Sequence, residues 1–192
     1  MTFSHQDAVN ANDYQIVVNG EYATFVVQAR DIAIGNGKSM LSLLNASGST
    51  SIIKLRDLRI VNVQNTAITG IVSEFRLYRI TGHSVGTSLT PLPFDTNDSL
   101  SVSVTARTGG TIAGEAANVL MHWDWSSDDW GVGTLDTESS DHSLQVAYNL
   151  LVEARNCKPI TLRAGEGITI KHVTNSTAGT FDVILTFTQE TE

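Results

Sequence analysis

The residues best suited to chemistry or recognition lie in one short segment, residues 122–130, which reads HWDWSSDDW. All three tryptophans of the chain fall here beside three aspartates: Trp123, Trp125 and Trp130. Aromatic rings with polar neighbours serve sugar or protein recognition, because tryptophan gives a large contact area at small entropic cost. In a strand Trp123 and Trp125 would share one face, as core residues also do. The segment therefore indicates a recognition surface, a solvated acidic loop or part of the core.

Patterns typical of metal sites and of catalysis are weak in this sequence. The chain has five scattered histidines: His5, His83, His122, His142 and His172. They form no H-E-x-x-H pair, and residues 122–130 lack the Asp-x-Asp-x-Asp-Gly order of a dedicated calcium loop. No G-x-S-x-G elbow, phosphate loop or dinucleotide fingerprint occurs, and Cys157 has no persuasive base beside it. We therefore expect no bound metal, no cofactor, no catalytic residue and no enzymatic activity.

The distribution of charge bears on which kinds of molecule the protein binds. A formal net charge of −8 argues against sequence-independent binding to nucleic acid, since that affinity comes from lysine and arginine displacing counterions from phosphates. No lysine or arginine lies between Arg107 and Arg155, whereas a basic block stands earlier in the chain: Lys54, Arg56, Arg59, Arg76 and Arg79. This segregation indicates either two solvated faces or two complementary assembly surfaces. We take the four arginines of the block as candidate interface residues.

The cysteine and hydropathy patterns bear on where the protein is made. Cys157 is the only cysteine, so no intramolecular disulfide can form, which fits synthesis in a reducing cytosol. No charged region followed by an apolar stretch opens the chain, and no run of about 18 apolar residues occurs. We therefore expect neither a cleaved secretion signal nor a segment embedded in a membrane.

The elements that must position these residues are predicted to be strands. Abundant serine and threonine, together with valine and isoleucine, favour pleated sheets over helices. Residues 1–13 lack periodicity and predict a flexible N-terminal arm, which leaves residues 14–192 as a single β domain. Asn19-Gly20, flanked by two β-rich runs, predicts a hairpin over residues 14–29.

Alternation of apolar and polar residues predicts further strands. They are centred on 52–60, 71–80, 101–105 and 144–153, the last with a helical alternative. A bulge is expected where Asp57 shifts the alternation of the first of these runs. The apolar stretch around Leu41, Leu43 and Leu44 fits a strand or a helix. Residues 167–172 and 180–187 predict a second hairpin.

Two prolines predict a stiff segment between strands. Pro91 and Pro93 fix φ and push their neighbours to extended conformations, so residues 89–95 should form a semi-rigid crossing. Such a crossing suits either an interface or a connection between two sheets. With eight to ten short strands and frequent turns, the sequence predicts an all-β fold, an antiparallel β-sandwich or a jelly-roll-like barrel with an N-terminal arm.

Three stretches of this chain resemble a known family. Residues 77–95, LYRITGHSVGTSLTPLPFD, contain a G-T-x-L-T-P-x-P-x-D passage, and an A-R-T-G-G step follows at residues 106–110. The stretch KPITLRAGEGITI at residues 158–170 leads to an Ala-Gly-Thr turn at 178–180 and a final strand. Together these motifs resemble virion structural proteins of tailed bacteriophages, over roughly residues 70–190.

The resemblance implies a structural component of the phage particle. It most closely fits a capsid decoration (cement) protein that binds the assembled lattice of the major capsid protein and stabilises the head. The implied partners are the major capsid protein and copies of the chain itself, as a dimer or trimer, with no nucleic acid and no membrane. The implied location is the virion, after synthesis in the bacterial cytoplasm. The alternatives are a tail- or fibre-associated module that binds carbohydrate or receptor through the tryptophans, and a minor tail or adaptor protein.

Overall fold

The protein, described here as a computed structural model, is an all-β antiparallel sandwich. The structure describes residues 22–63, 72–126, 146–149, 158–174 and 179–191, and in these ranges it contains fourteen strands and no helix. The strands are β1 (Ala23–Ala33), β2 (Lys38–Asn45), β3 (Ser51–Asn62), β4 (Val72–Ile80), β5 (Gly82–Ser84), β6 (Thr87–Leu89), β7 (Leu92–Pro93), β8 (Val104–Thr108), β9 (Thr111–Ala113), β10 (Val119–Ser126), β11 (Val146–Asn149), β12 (Thr161–Leu162), β13 (Glu166–His172) and β14 (Thr180–Thr191). The predicted fold class is confirmed. The proposed arm, residues 1–13, lies outside the described residues.

Two six-stranded sheets form the sandwich. Sheet A has the order β11-β3-β14-β1-β7, with β12 also paired to β3, and sheet B has the order β10-β4-β13-β2-β8-β6. Strands β5 and β9 pair separately. The two sheets meet in one apolar core, where the rings of Phe75 on β4 and Phe181 on β14 pack edge to face with their centroids 4.9 Å apart.

Alternation along each strand decides which side chains enter the core. On β14, Phe181, Val183, Leu185 and Phe187 are all buried, while the residues between them face outward. The irregularity predicted in the 52–60 run is also present, because β14 pairs Phe187 with Leu55 but the preceding Thr186 with Asp57. The extra residue, Arg56, resets the alternation so that the apolar residues on both sides of the bulge reach the core.

The predicted hairpin of residues 167–172 and 180–187 is wrong. Both segments are strands, but β13 lies in sheet B between β2 and β4, whereas β14 lies in sheet A between β1 and β3. Each is flanked on both sides by other strands, so neither has an edge left for the other. The connection after β13 instead carries the chain from one sheet to the other.

The hairpin predicted over residues 14–29 can be compared with the structure only in its second half, which is strand β1, because residues 14–21 lie outside the described residues. Strand β1 begins at Ala23, and β14 occupies one of its edges. Strand β7 occupies the other edge opposite Phe25 and Val26, where Phe94 N also donates to the main-chain oxygen of Thr24. Both edges of β1 are therefore occupied at residues 24–26.

Three further strand predictions can be compared with the structure. The stretch around Leu41 and Leu43 is a strand, β2, and not a helix. The four described residues of the 144–153 run, 146–149, form strand β11 along β3. In the predicted 101–105 strand, only Val104 and Thr105 belong to a strand, β8. Residues 101–104 instead form a turn, in which Val104 N donates to the main-chain oxygen of Ser101. This turn leaves Val102 96% exposed.

A two-stranded strap crosses the outer face of sheet B. We define the strap as residues 81–86, which include β5, and residues 109–114, which include β9. It leaves β4 near one edge of the sheet and reaches β6 at the opposite edge. His83 lies on its underside and hydrogen-bonds to Ser42 of β2 and Thr105 of β8. The strap thus covers a row of polar side chains in the middle of the sheet.

Candidate functional site

The four candidate interface arginines are divided between the two sheets. Arg56 and Arg59 lie on β3 in sheet A, whereas Arg76 and Arg79 lie on β4 in sheet B. In sheet A, Arg56 Nε donates to Thr188 Oγ1 at 3.0 Å, with a carboxylate oxygen of Glu190 3.8 Å from Nη2. Arg59 Nε lies 2.7 Å from a carboxylate oxygen of Asp57.

The two arginines of β4 also have carboxylate partners. Arg76 Nε donates to Glu74 Oε1 at 2.5 Å, and this hydrogen bond is the main reason that the pKa of Glu74 is lowered and that of Arg76 raised. Arg79 Nη1 donates to the main-chain oxygen of Thr161 at 2.7 Å, with Glu166 Oε2 3.6 Å away. Since Thr161 belongs to β12, Arg79 ties sheet B to sheet A. The basic block of the sequence is therefore not one continuous basic surface.

The described part of the tryptophan segment, residues 122–126, belongs to strand β10 at an edge of sheet B. Trp123 lies opposite Phe75 on strand β10 and is partly buried against the core. Trp125 is paired with Ser73 two positions further along, and Trp130 lies outside the described residues. The packing of Trp123 gives this ring a role in the fold, which weakens its use as an open platform for a sugar.

Ser42 and His83 form a contact that resembles the nucleophile and base of a hydrolase. Ser42 Oγ and His83 Nδ1 are 2.8 Å apart, and His83 Nε2 lies 2.9 Å from Thr105 Oγ1. Burial, and then the positive charge of Arg107, lower the pKa of His83 and so favour the neutral ring. Ser42 is fully buried beneath the strap, and a hydroxyl takes the place of the orienting carboxylate. The contact therefore holds the strap against the sheet. It could not be predicted from the sequence, because Ser42 and Thr105 are both far from His83 along the chain.

The proline segment connects the sheets and also forms an exposed surface. It leads from β6 in sheet B to β7, where Pro93 lies opposite Phe25 at the edge of sheet A. A proline is tolerated there because an edge strand needs hydrogen bonds on only one side. The neighbouring side chains point away from the core, and Leu92 is 60% and Phe94 66% exposed. The segment is thus the stiff connection considered from the sequence, and it presents two apolar side chains to solvent.

Beside Phe94 the surface forms an open depression with a volume of about 430 Å³. We call it the β7 depression. Its lining consists of Tyr22, Ala23, Thr24, Phe94, Asp95 and Asp98. A tight turn fixes its acidic side: Asp95 Oδ1 accepts from the main-chain nitrogen of Asn97 at 2.9 Å, and Asp98 N donates to the oxygen of Asp95. Sequence reasoning missed this site, because its two sides come from separate parts of the chain.

In the part of the chain that the structure describes, no group of three or more histidine, cysteine, aspartate or glutamate side chains is placed to hold a metal ion. Over the same residues, no helix is long and apolar enough to cross a membrane. No family model, curated protein or solved structure matches this chain. The resemblance described for residues 77–95 therefore rests on sequence motifs alone.

Proposed function

We propose that this chain is a structural component of a tailed-bacteriophage particle, a capsid decoration protein that binds the assembled lattice of the major capsid protein. The motifs at residues 77–95 and 106–110 support this proposal, because they occupy one continuous unit of the fold. Residues 77–95 run from the end of β4 through one limb of the strap to β6 and β7. Residues 106–110 include the end of β8, which pairs with β6, and lead into the other limb of the strap. The observation that carries the proposal is the exposed apolar pair Leu92 and Phe94 at the end of this unit.

An exposed apolar pair on a stiff segment suits a docking contact. Full burial of a leucine or phenylalanine side chain is worth about 1.5–3 kcal/mol, and aromatic anchors dominate many interfaces. Pro91 and Pro93 fix the backbone on either side of Leu92, so binding would lose little conformational entropy there. Pairing of β7 with β1 adds to this rigidity. The segment is therefore organised before any partner arrives.

Stabilisation of the shell would follow from binding alone. A protein that binds the assembled lattice and not free subunits favours the lattice by mass action, by about 2.7 kcal/mol per site when its free concentration is a hundredfold above Kd. No reactive group is needed for this effect. A symmetric oligomer of the chain would add avidity by engaging several sites at once.

The proposal is tested by binding the purified chain to capsids that lack it. We expect saturable binding with a copy number that scales with the number of capsomers, and higher thermal stability of the decorated shell. The double variant Leu92→Ser, Phe94→Ser should bind much more weakly. Val85→Ser is the matched control, since Val85 is also exposed and apolar but lies on the strap.

Two results would overturn the proposal. One is failure of the chain to bind capsids at any concentration. The other is a copy number of only a few per particle, which would indicate a minor tail or adaptor protein. If the purified chain instead bound glycans and Trp125→Ala abolished that binding, the receptor-binding alternative would replace the proposal.

A further inference from the structure

The β7 depression combines aromatic rings with two aspartates that are not ion-paired within the described part of the chain. Tyr22 is 45% exposed and Phe94 66% exposed, and both line the depression together with Asp95 and Asp98. Among the described residues, neither carboxylate has an ion-pair partner within 4.0 Å. This contrasts with Asp57, Glu74 and Glu190, each of which is paired with an arginine.

One face of Tyr22 already attracts a cation. Lys54 Nζ lies 5.7 Å from the centroid of the Tyr22 ring, within the range of a cation–π contact. Lys54 does not neutralise the depression, because its ammonium group is bound to Glu190 Oε2 at 2.6 Å. The two aspartates therefore remain available to a cation from outside the described fold.

Rings and carboxylates together favour a guanidinium group. Its plane stacks on aromatic rings, and its five donors can serve two carboxylates at once, which a lysine ammonium does less well. The depression is open to solvent and has a volume of about 430 Å³, which is enough space for a whole side chain. The net charge of −8 also favours the approach of a basic partner over long distances.

We propose that the β7 depression binds an arginine side chain presented by the partner protein, stacked against Tyr22 and Phe94 and neutralised by Asp95 and Asp98. This inference rests on the proposed function, in which that partner is the capsid lattice. It assigns two roles to one surface: Leu92 and Phe94 bury apolar area, and the aspartates select for positive charge. The apolar contact supplies affinity, and the charge pair supplies specificity and faster association.

The direct test titrates the isotopically labelled full-length chain with N-acetyl-arginine amide and follows the titration by NMR. We expect shifts of the Phe94, Asp95 and Asp98 signals, weakened by added salt. The neutral isostere N-acetyl-citrulline amide should leave these signals unchanged, and N-acetyl-lysine amide, charged but not planar, should bind more weakly. Equal shifts with arginine and citrulline, or shifts spread over the whole surface, would overturn the inference.

Two charge variants provide the matched comparison. In Asp95→Asn, Asp98→Asn the amide oxygen at position 95 can still accept the hydrogen bonds of the turn, and the main-chain nitrogen of residue 98 still donates, so the fold is kept and only the charge is lost. Affinity for the arginine compound should fall about tenfold or more. Asp124→Asn removes one carboxylate from an exposed position on β10 and should leave affinity unchanged. Equal affinity in the two variants would place the binding elsewhere.

Capsid binding separates this inference from the proposed function. If the Asp95→Asn, Asp98→Asn variant occupies capsids as fully as the unmodified chain, the arginine contact is wrong and the decoration role stands. If the arginine compound binds as expected but the chain never occupies capsids, the depression recognises a different basic partner and the decoration role is wrong.

Discussion

Gly86 lies where the backbones of the strap's two limbs approach closely, and replacing it with alanine should destabilise the protein more than the same change at Gly109. Both glycines have a φ of +65°, a conformation that costs an alanine about 1–2 kcal/mol. At Gly86 an added Cβ would lie 2.4 Å from Thr108 O and 2.6 Å from Gly110 N, whereas at Gly109 it would meet nothing within 4 Å. The pair therefore separates backbone conformation from close approach.

The expected magnitudes follow from these two terms. Gly109→Ala should lower the free energy of unfolding by about 1–2 kcal/mol, from the conformational cost alone. Gly86→Ala adds an overpacking cost of about 1–3 kcal/mol, for a total of about 2–5 kcal/mol. Small movements cannot easily relieve this overpacking, because the clashing atoms are main-chain atoms of Thr108 and Gly110. These residues lie where the chain passes from β8 to β9.

Urea unfolding followed by tryptophan fluorescence would measure both losses, with the m-value showing whether unfolding stays two-state. If Gly86→Ala opened only the strap, the Thr81 amide, which donates to Ala113 O across its two limbs, would exchange with solvent faster before global unfolding. Equal losses of stability in the two variants, with equal exchange at Thr81, would refute the close approach of the two limbs at this point.

Three further predictions use the same unfolding assay. Burial lowers the pKa of His83 and His172 below 6.5 in the folded protein, so the unfolded chain binds more protons than the folded chain as the pH falls. The free energy of unfolding should therefore be greatest above about pH 6.5 and decrease as the pH drops towards the histidine pKa values of the folded protein. Equal stability at pH 7.5 and 5.0 would contradict this. Leu185→Ala should cost about 2–5 kcal/mol, because its side chain is fully buried in a central strand, and a loss below about 1 kcal/mol would mean that the core collapses around the gap. Arg79→Gln should destabilise more than Arg76→Gln, since Arg79 joins the two sheets whereas Arg76 binds a neighbour on its own strand. The reverse order would contradict the bridging role of Arg79.

The sequence predicted strands wherever one face is apolar and the other polar. Strand β4 and the bulged strand β3 follow from this pattern, because a side chain's direction is set locally by the pleat. The choice of neighbouring strand is not local. Strands β13 and β14 look like a hairpin in sequence, but both are central strands, and their places depend on β2, β4, β1 and β3. The alternation of apolar and polar residues predicts which face of a strand is buried, but not which sheet the strand joins.

The candidate surfaces were only partly accessible to sequence reasoning. The stiffness of the Pro91–Pro93 segment was predictable, because proline restricts φ in any context. The partners of the arginines were not, since Arg56 is paired with Glu190 and Arg79 with Glu166, both far away in sequence. Exposure of Leu92 and Phe94 was equally hidden, because an apolar residue in a strand pattern usually faces the core.

The position of β14 has a consequence for how the chain is made. This strand lies between β1 and β3, yet more than a hundred residues separate the end of β3 at Asn62 from the start of β14 at Thr180. At typical translation rates of about 5–20 residues per second, β1 and β3 leave the ribosome several seconds before the strand that joins them. During that interval their apolar faces have no central partner. The nascent chain should therefore depend on holding chaperones, and its yield should fall as translation becomes slower or the temperature rises.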